Sequence, residues 1–199
     1  MRRADPVKID LVRDEILRAG MSLFQKYGLD KTTMEDIAEA AEKGKSTLYY
    51  YFKKKEDVFH SIAEREMSSM VDALENGLKA GKNAGDKIGL FFLIQDKSLR
   101  SKMKLYPMIF KETNKHIQLF QSLQRMANTM QTKMFKTILL EGIESGEFKS
   151  ISREECNTVA VTVVSTLHAM QLNVLLEGKM PTNEAKLKIM HQIMARGLK

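Results

Sequence analysis

At 199 residues the chain has room for a substantial core in one large or two smaller domains. A net charge of +7 and a pI near 9.4 favour a polyanionic partner. A single cysteine, Cys156, excludes a disulfide framework and a cysteine-based zinc site, and three prolines with no period-two β-branched run argue for helices over sheet.

In chain order, residues 1–5 form an arm tipped by Arg2 and Arg3, and Asp5-Pro6 opens a first helix with an N-cap aspartate and an N1 proline. Val12, Ile16, Ala19, Leu23 and Tyr27 make its apolar stripe, and Gly28 is expected to end it as a left-handed C-cap. The next stretch, KTTMEDIAEAAEKGKSTLYYYFKKK over residues 31–55, holds two short helices. Met34, Ile37, Ala38 and Ala41 fall at i, i+3, i+4 and i+7 behind Thr33 as N-cap, with Glu35 and Asp36 in the first turn. After a turn at Glu42 and Lys43, a second helix begins near Gly44. Leu48, Tyr51 and Phe52 anchor it inward, leaving Lys45, Ser46, Thr47, Tyr49 and Tyr50 outside. Two short helices about a three- or four-residue turn make a helix-turn-helix, whose second helix can enter a DNA major groove. Residues 43–55 carry five lysines and no acid, which suits phosphate. Bulk charge does not make this argument: residues 1–60 carry 12 Lys and Arg against 11 Asp and Glu.

Thr32-Thr33, Ile37-Ala38, the run from Lys45 through Phe52, and Lys55-Glu56-Asp57 together closely resemble the TetR family of bacterial transcriptional repressors over roughly residues 10–60. The chain departs from the family at the turn, where Glu42, Lys43 and Gly44 stand in place of the usual Gly, Val and Ser. The resemblance implies DNA contacts from Thr33, Lys43, Lys45, Ser46, Thr47, Tyr49, Tyr50 and Lys55, with Lys55 and Thr33 on phosphates.

A longer helix is expected over 54–78, linking reader to body, with Lys55 unfavourable to the dipole in its first turn. Loop signals at 76–85 follow, then helices over 86–99, 101–112 (interrupted by Pro107), 114–145, 153–176 and 183–198. Met and aromatic residues concentrate here. An effector pocket, in keeping with ligand-sensing repressors, would draw on Phe91, Phe92, Met103, Tyr106, Phe110, Met126, Met130, His168 and Gln171; ordinary core is the competing reading of the same residues. The 153–176 helix is apolar on more than one side, which fits burial against the core and against a second subunit. In the TetR family the last two helices form the dimer interface, and Leu167, Leu175, Met190 and Met194 are its candidates here.

No Gly-rich phosphate loop, nucleophile elbow or HExxH helix occurs, and the four histidines are scattered, so no enzyme, cofactor or metal site is expected. The start of the chain lacks a signal-peptide stretch, and residues 159–176 are too polar for an ordinary span, so a cytoplasmic protein is expected, nucleoid-associated when bound to DNA. The expectation is an all-α protein of about nine helices. Residues 1–53 form a helix-turn-helix domain and 54–199 a helical regulatory and dimerisation domain. It would act as a homodimeric repressor of a pseudo-palindromic double-stranded DNA operator, released by a small apolar or amphipathic effector. An effector-independent regulator or activator is the alternative within DNA binding; a helical interaction or metal-binding protein is the alternative outside it.

Overall fold

The computed structural model describes residues 6–105, 111–112, 115–177 and 183–198, and these residues are helical apart from turns. Among them are eight helices: α1 (Pro6–Lys31), α2 (Met34–Ala40), α3 (Lys45–Tyr51), α4 (Lys55–Leu78), α5 (Ala84–Leu105), α6 (Ile117–Glu144), α7 (Cys156–Glu177) and α8 (Asn183–Gly197). Where two helices were expected over 86–112, α5 runs unbroken to Leu105. Tyr106, Pro107 and Phe110 lie outside the described residues. No described helix is long and apolar enough to cross a membrane.

Two helix starts are capped locally. Thr33 and Asp36 cap α2 reciprocally: the Thr33 hydroxyl accepts from the Asp36 N–H at 3.1 Å, and the Asp36 carboxylate accepts from the Thr33 N–H at 2.8 Å. Ser152 and Glu155 exchange the same two bonds ahead of α7. The first N–H groups of α5 are met from a distance, by Glu147, which accepts from Ala84 and Gly85 at 2.9 and 3.1 Å. That bond fastens the turn after α6 to the start of α5.

Burial divides into two apolar clusters. The first gathers Ile16, Leu17, Phe24, Leu29, Ile37, Leu48, Phe52, Val58, Phe59 and Ile62 from α1–α4, and also Leu123 and Ala127 of α6. The second gathers Leu74, Ile88, Phe91, Phe92, Phe135, Leu139, Phe148, Cys156, Ala160, Val164 and Leu167. Helix α4 feeds both, its first half the N-terminal cluster and its last turns the C-terminal one. The reader is therefore continuous with the body through α4 and the start of α6.

The α1 stripe is rotated from the expected one, and the buried faces of α6 and α7 run through small and polar residues. In α1 the buried line is Ile16, Gly20 and Phe24, while Tyr27 is exposed. In α6 it is Leu123, Ala127, Gln131, Phe135 and Ile138, and Met126 and Met130 lie a third of a turn away, partly in solvent. In α7 it is Cys156, Ala160, Val164 and Leu167. Size misleads here. A buried helix face needs residues that fit its neighbours, and at close approaches these are Gly, Ala or Gln, with larger apolar groups alongside.

Candidate nucleic-acid interface

Helix α3 is seven residues long, too short to hold itself, and depends on packing. Leu48 is fully buried and Phe52 nearly so; each contributes about 1.5–3 kcal/mol by leaving water. Arg13 of α1 lies over the Phe52 ring, 5.4 Å from its centroid, and donates to Ser61 of α4 at 3.0 Å. The opposite face of α3 presents Lys45, Ser46, Tyr49 and Tyr50, all exposed, with Thr47 half-buried beside them. Tyr50 is 70% exposed, its ring edge-on to Tyr51 at 5.2 Å. An aromatic ring held this far into solvent beside a half-buried neighbour is placed for a partner surface.

The turn before α3 is strained. Glu42 has φ of 52°, the left-handed region that favours glycine. Backbone bonds hold it there: Glu42 N–H donates to Glu39 at 3.0 Å and Lys43 N–H to Ala38 at 2.9 Å. Lys43 then reaches Glu15 of α1 at 2.7 Å, and Lys45 reaches Glu35 of α2 at 3.2 Å. Two of the five lysines counted as phosphate donors are thus paired with carboxylates in the free protein. The Glu35 carboxyl is held below its usual range, first by its own backbone N–H and then by Lys45.

Lys55 is placed differently from the phosphate contact expected of it. Its ammonium donates to the carbonyl oxygens of Leu29 at 2.7 Å, Asp30 at 3.0 Å and Thr32 at 3.0 Å. An ammonium has three donors, and all three are used. Lys55 therefore caps the carbonyl end of α1, and a phosphate would have to displace one of those oxygens. Its position in the first turn of α4 is compatible with the dipole because Glu56 and Asp57 share that turn, and Asp57 accepts from the Lys54 N–H at 3.3 Å. Thr33 is exposed, but its hydroxyl is already engaged with Asp36 as donor and acceptor.

The far side of this corner is gripped by the connector between α5 and α6, which sequence reasoning missed. At Gly28 the backbone turns sharply (φ 84°, ψ 178°), and 29–31 add one last helical turn, a bend where a simple stop was expected. Buried Glu112 accepts from the Leu29 N–H at 2.6 Å and the Asp30 N–H at 3.3 Å. Gly28 is required twice over: its φ is positive, and a Cβ there would meet the Glu112 carboxylate at 2.6 Å. Asp30 in turn receives Lys115 and His116, both at 2.7 Å, with Lys115 the larger influence in lowering the carboxyl pKa. The ligand atoms of Asp30, Glu112 and His116 lie within 4.8 Å of one another, and each has a protein partner. Residues 28–32 are thus clamped between Lys55 on their carbonyls and Glu112 on their amides. No spacing motif announces such a contact across more than eighty residues.

The description "Bacterial regulatory proteins, tetR family" matches residues 16–62, spanning α2, α3 and the start of α4. The uncharacterized HTH-type transcriptional regulator YhgD of Bacillus subtilis (strain 168) is 30% identical over 145 residues, covering 70% of this chain and 73% of that protein. The chain belongs to the tetR family. The fatty acid metabolism regulator protein of the same organism is 26% identical over 136 residues, 68% of this chain and 70% of its own. Across the whole tetR fold, the crystal structure of the transcriptional regulator FadR from Bacillus subtilis in complex with stearoyl-CoA is similar with a TM-score of 0.63 and 20% identity, covering 94% of this chain and 99% of that one. The protein is a helix-turn-helix transcriptional regulator and not an enzyme.

The described residues read as an effector pocket occupy several environments. Phe91 and Phe92 pack edge-on against each other, and Phe91 lies 5.0 Å from Phe135, an aromatic core cluster. Met103 and Gln171 are half-buried, Met126 and Met130 are exposed at about 40%, and His168 is buried. Tyr106 and Phe110 lie outside the described residues. Of the described members of this set, Met130 lines the groove of about 500 Å³ between α4 and α6, beside Val71, Leu78, Met134 and Ile138. The dimer candidates also resolve differently. Leu167 is in the intrachain core, Met190 and Met194 pack partly against it, and the side chain of Leu175 lies outside the described residues. Among the described side chains of the last two helices, the large apolar ones facing out are Val161, Ile189 and Ile193.

Proposed function

We propose that this tetR-family regulator is a homodimeric repressor. In this reading α3 of each protomer enters the major groove of one half of a pseudo-palindromic operator, and a small apolar or amphipathic effector in the helical body releases it. Residues 1–53 act as the reader and 54–199 as the regulatory body, coupled through α4 and the Glu112 clamp. The observation that carries the reading is the outward face of α3: Lys45, Ser46, Tyr49 and Tyr50 stand exposed on a helix whose other face is locked into the core. Lys45 and Tyr49 face the bases, and the lysines around them supply the phosphate field. Dimerisation is assigned to α7 and α8 through Val161, Ile189 and Ile193, apolar groups left exposed by their own chain. The stearoyl-CoA bound by the Bacillus subtilis structural neighbour supports an effector with a long apolar body. Such a protein works in the bacterial cytoplasm, on the nucleoid when bound.

The test is selection of bound fragments from genomic DNA, followed by fluorescence anisotropy on the enriched site. Tyr50→Ala and Lys45→Ala are expected to raise Kd for that site by about 10-fold or more and to change its preferred bases, at a cost of ~1–3 kcal/mol each. An enriched site bound equally well by both variants would remove α3 from the interface.

A further inference from the structure

Among the described residues, one group brings three metal-ligating side chains together: Asp30 of α1 with Glu112 and His116 of the connector between α5 and α6. One ligand atom from each lies within 4.8 Å of the other two. Two backbone features deliver them. Asp30 stands in the helical turn that follows the bend at Gly28. Glu112 and His116 are joined across one turn, the His116 N–H donating to the Glu112 carbonyl at 3.2 Å. That spacing sets both side chains on one side, as in chelating pairs at i and i+4 of a helix. A histidine among carboxylates from two distant elements follows no histidine or cysteine spacing motif, so the sequence does not announce the group.

The contacts within the group favour a cation. Two carboxylates this close repel unless positive charge lies beside them, and Glu112 is buried. Asp30 Oδ2 takes the Lys115 ammonium and Asp30 Oδ1 faces His116 Nε2, both at 2.7 Å. A bare imidazole nitrogen and a carboxylate oxygen both only accept, so a proton lies between His116 and Asp30. Glu112 Oε2 takes the Leu29 amide at 2.6 Å and the Asp30 amide at 3.4 Å. Among the described residues, Oε1 has the Asp30 amide alone, at 3.3 Å, and keeps a lone pair to spare. The balancing charge is loosely held: Lys115 is 69% exposed, on a flexible stem.

We infer that Asp30, Glu112 and His116 form a site for a divalent transition ion of the zinc type, which ties the reader to the body. One imidazole nitrogen and two carboxylate oxygens suit zinc with a fourth position left to water, whereas magnesium and calcium take oxygen ligands. The ion replaces the proton on His116 Nε2, which passes to Nδ1 or to solvent, and it displaces the Lys115 ammonium from Asp30. Glu112 binds the ion through Oε1 and keeps its bond to Leu29 through Oε2. Asp30 leads through the Thr33 cap into α2, so an ion here stiffens the corner on which the helix-turn-helix stands. This input is separate from the small-molecule effector.

The test uses the full-length protein, stripped with a chelator and titrated with zinc against a chromophoric competitor. One ion per chain is expected at this site, and at a hundredfold excess over its Kd the Tm should rise by on the order of 5–10 °C. Magnesium at the same concentration should give no rise. Asp30→Asn and His116→Gln are expected to raise Kd by about tenfold or more. Lys115→Gln is expected to lower it by roughly 2–5-fold, because the competing charge is gone. Without metal all three variants should melt within about 3 °C of wild type, since the ion pairs they lose are partly exposed, so lost binding is not lost folding. Zinc affinity unchanged in Asp30→Asn and His116→Gln overturns the site and means an adventitious ion only, held elsewhere, as at the His60–Glu64 pair. Absence of zinc binding by the wild-type chain overturns it too, and a weaker ion in Lys115→Gln overturns the exchange of ammonium for metal. Operator anisotropy with and without zinc then reads the coupling: affinity should change by about fivefold or more in wild type and not in His116→Gln, and equal affinities in wild type overturn the regulatory role. The zinc titrations need no operator, so failure of the site and failure of α3 as reader are told apart.

Discussion

Glu112 offers the sharpest probe of how the body controls the reader. Replacing it by Ala removes a charge-assisted bond of 2.6 Å to the Leu29 amide and a weaker one to Asp30. Hydrogen bonds to charged groups contribute about 1.5–3 kcal/mol, and a buried N–H left unpaired costs about 1–3 kcal/mol. These overlap, because both describe the same broken bond, and the Asp30 amide can turn to water. A loss of about 2–4 kcal/mol is expected, which for a chain of this size lowers Tm by roughly 5–12 °C. Glu112→Gln keeps an acceptor of the same shape and is expected to cost less than half as much. Amide hydrogen exchange localises the effect: Leu29 and Asp30 should lose protection in Glu112→Ala, while Ile88, Leu139 and Ala160 of the C-terminal cluster keep theirs. Operator affinity should fall in the same variant, since the corner that Lys55 and Glu112 clamp leads directly into α2. A Tm within 2 °C of wild type, with unchanged exchange at Leu29, would refute the clamp.

Glu42→Gly is expected to raise stability by about 0.5–1 kcal/mol: relief of a left-handed residue gives roughly 1–2 kcal/mol, and the added chain entropy of glycine takes back part of it. Glu42→Gln isolates charge and should tighten operator binding without moving Tm; equal melting temperatures for Glu42→Gly and wild type would show that the turn is unstrained. For assembly, Ile193→Asp, at a position 65% exposed, should convert a dimer to a monomer in light scattering, and a dimer that survives both it and Ile189→Asp places the interface elsewhere. His168 predicts a pH dependence. Its folded pKa, near 4, lies below the unfolded value of 6.5, so between those values the unfolded chain binds more protons and stability falls as pH falls. The loss grows from about pH 6.5 down to about 4 and reaches about 3 kcal/mol, and His168→Leu should flatten that part of the profile.

The helix-turn-helix was legible in the sequence because its signals are local. A capping Thr33–Asp36 pair, apolar residues at i, i+3 and i+4, and a turn of a few residues act within one or two helical turns, so residue order is close to spatial order. The outward set of Lys45, Ser46, Tyr49 and Tyr50 follows from the same periodicity, since Leu48 and Phe52 fix the phase of α3. Lys55 shows the limit of that reasoning. Its charge and position suggested a phosphate, but its partners are three carbonyls brought to it by the bend at Gly28, a geometry set by how α1 meets α4. The body was harder to read because its helices are amphipathic in more than one phase. Met126 and Met130 look more apolar than Ala127 and Gln131, yet Ala127 packs into the N-terminal cluster and Gln131 is buried against His168 of α7. The Glu112 clamp and the Gln131–His168 pair are the deepest cases. Each joins side chains on elements far apart in sequence, and only tertiary packing decides which lone pairs and protons meet.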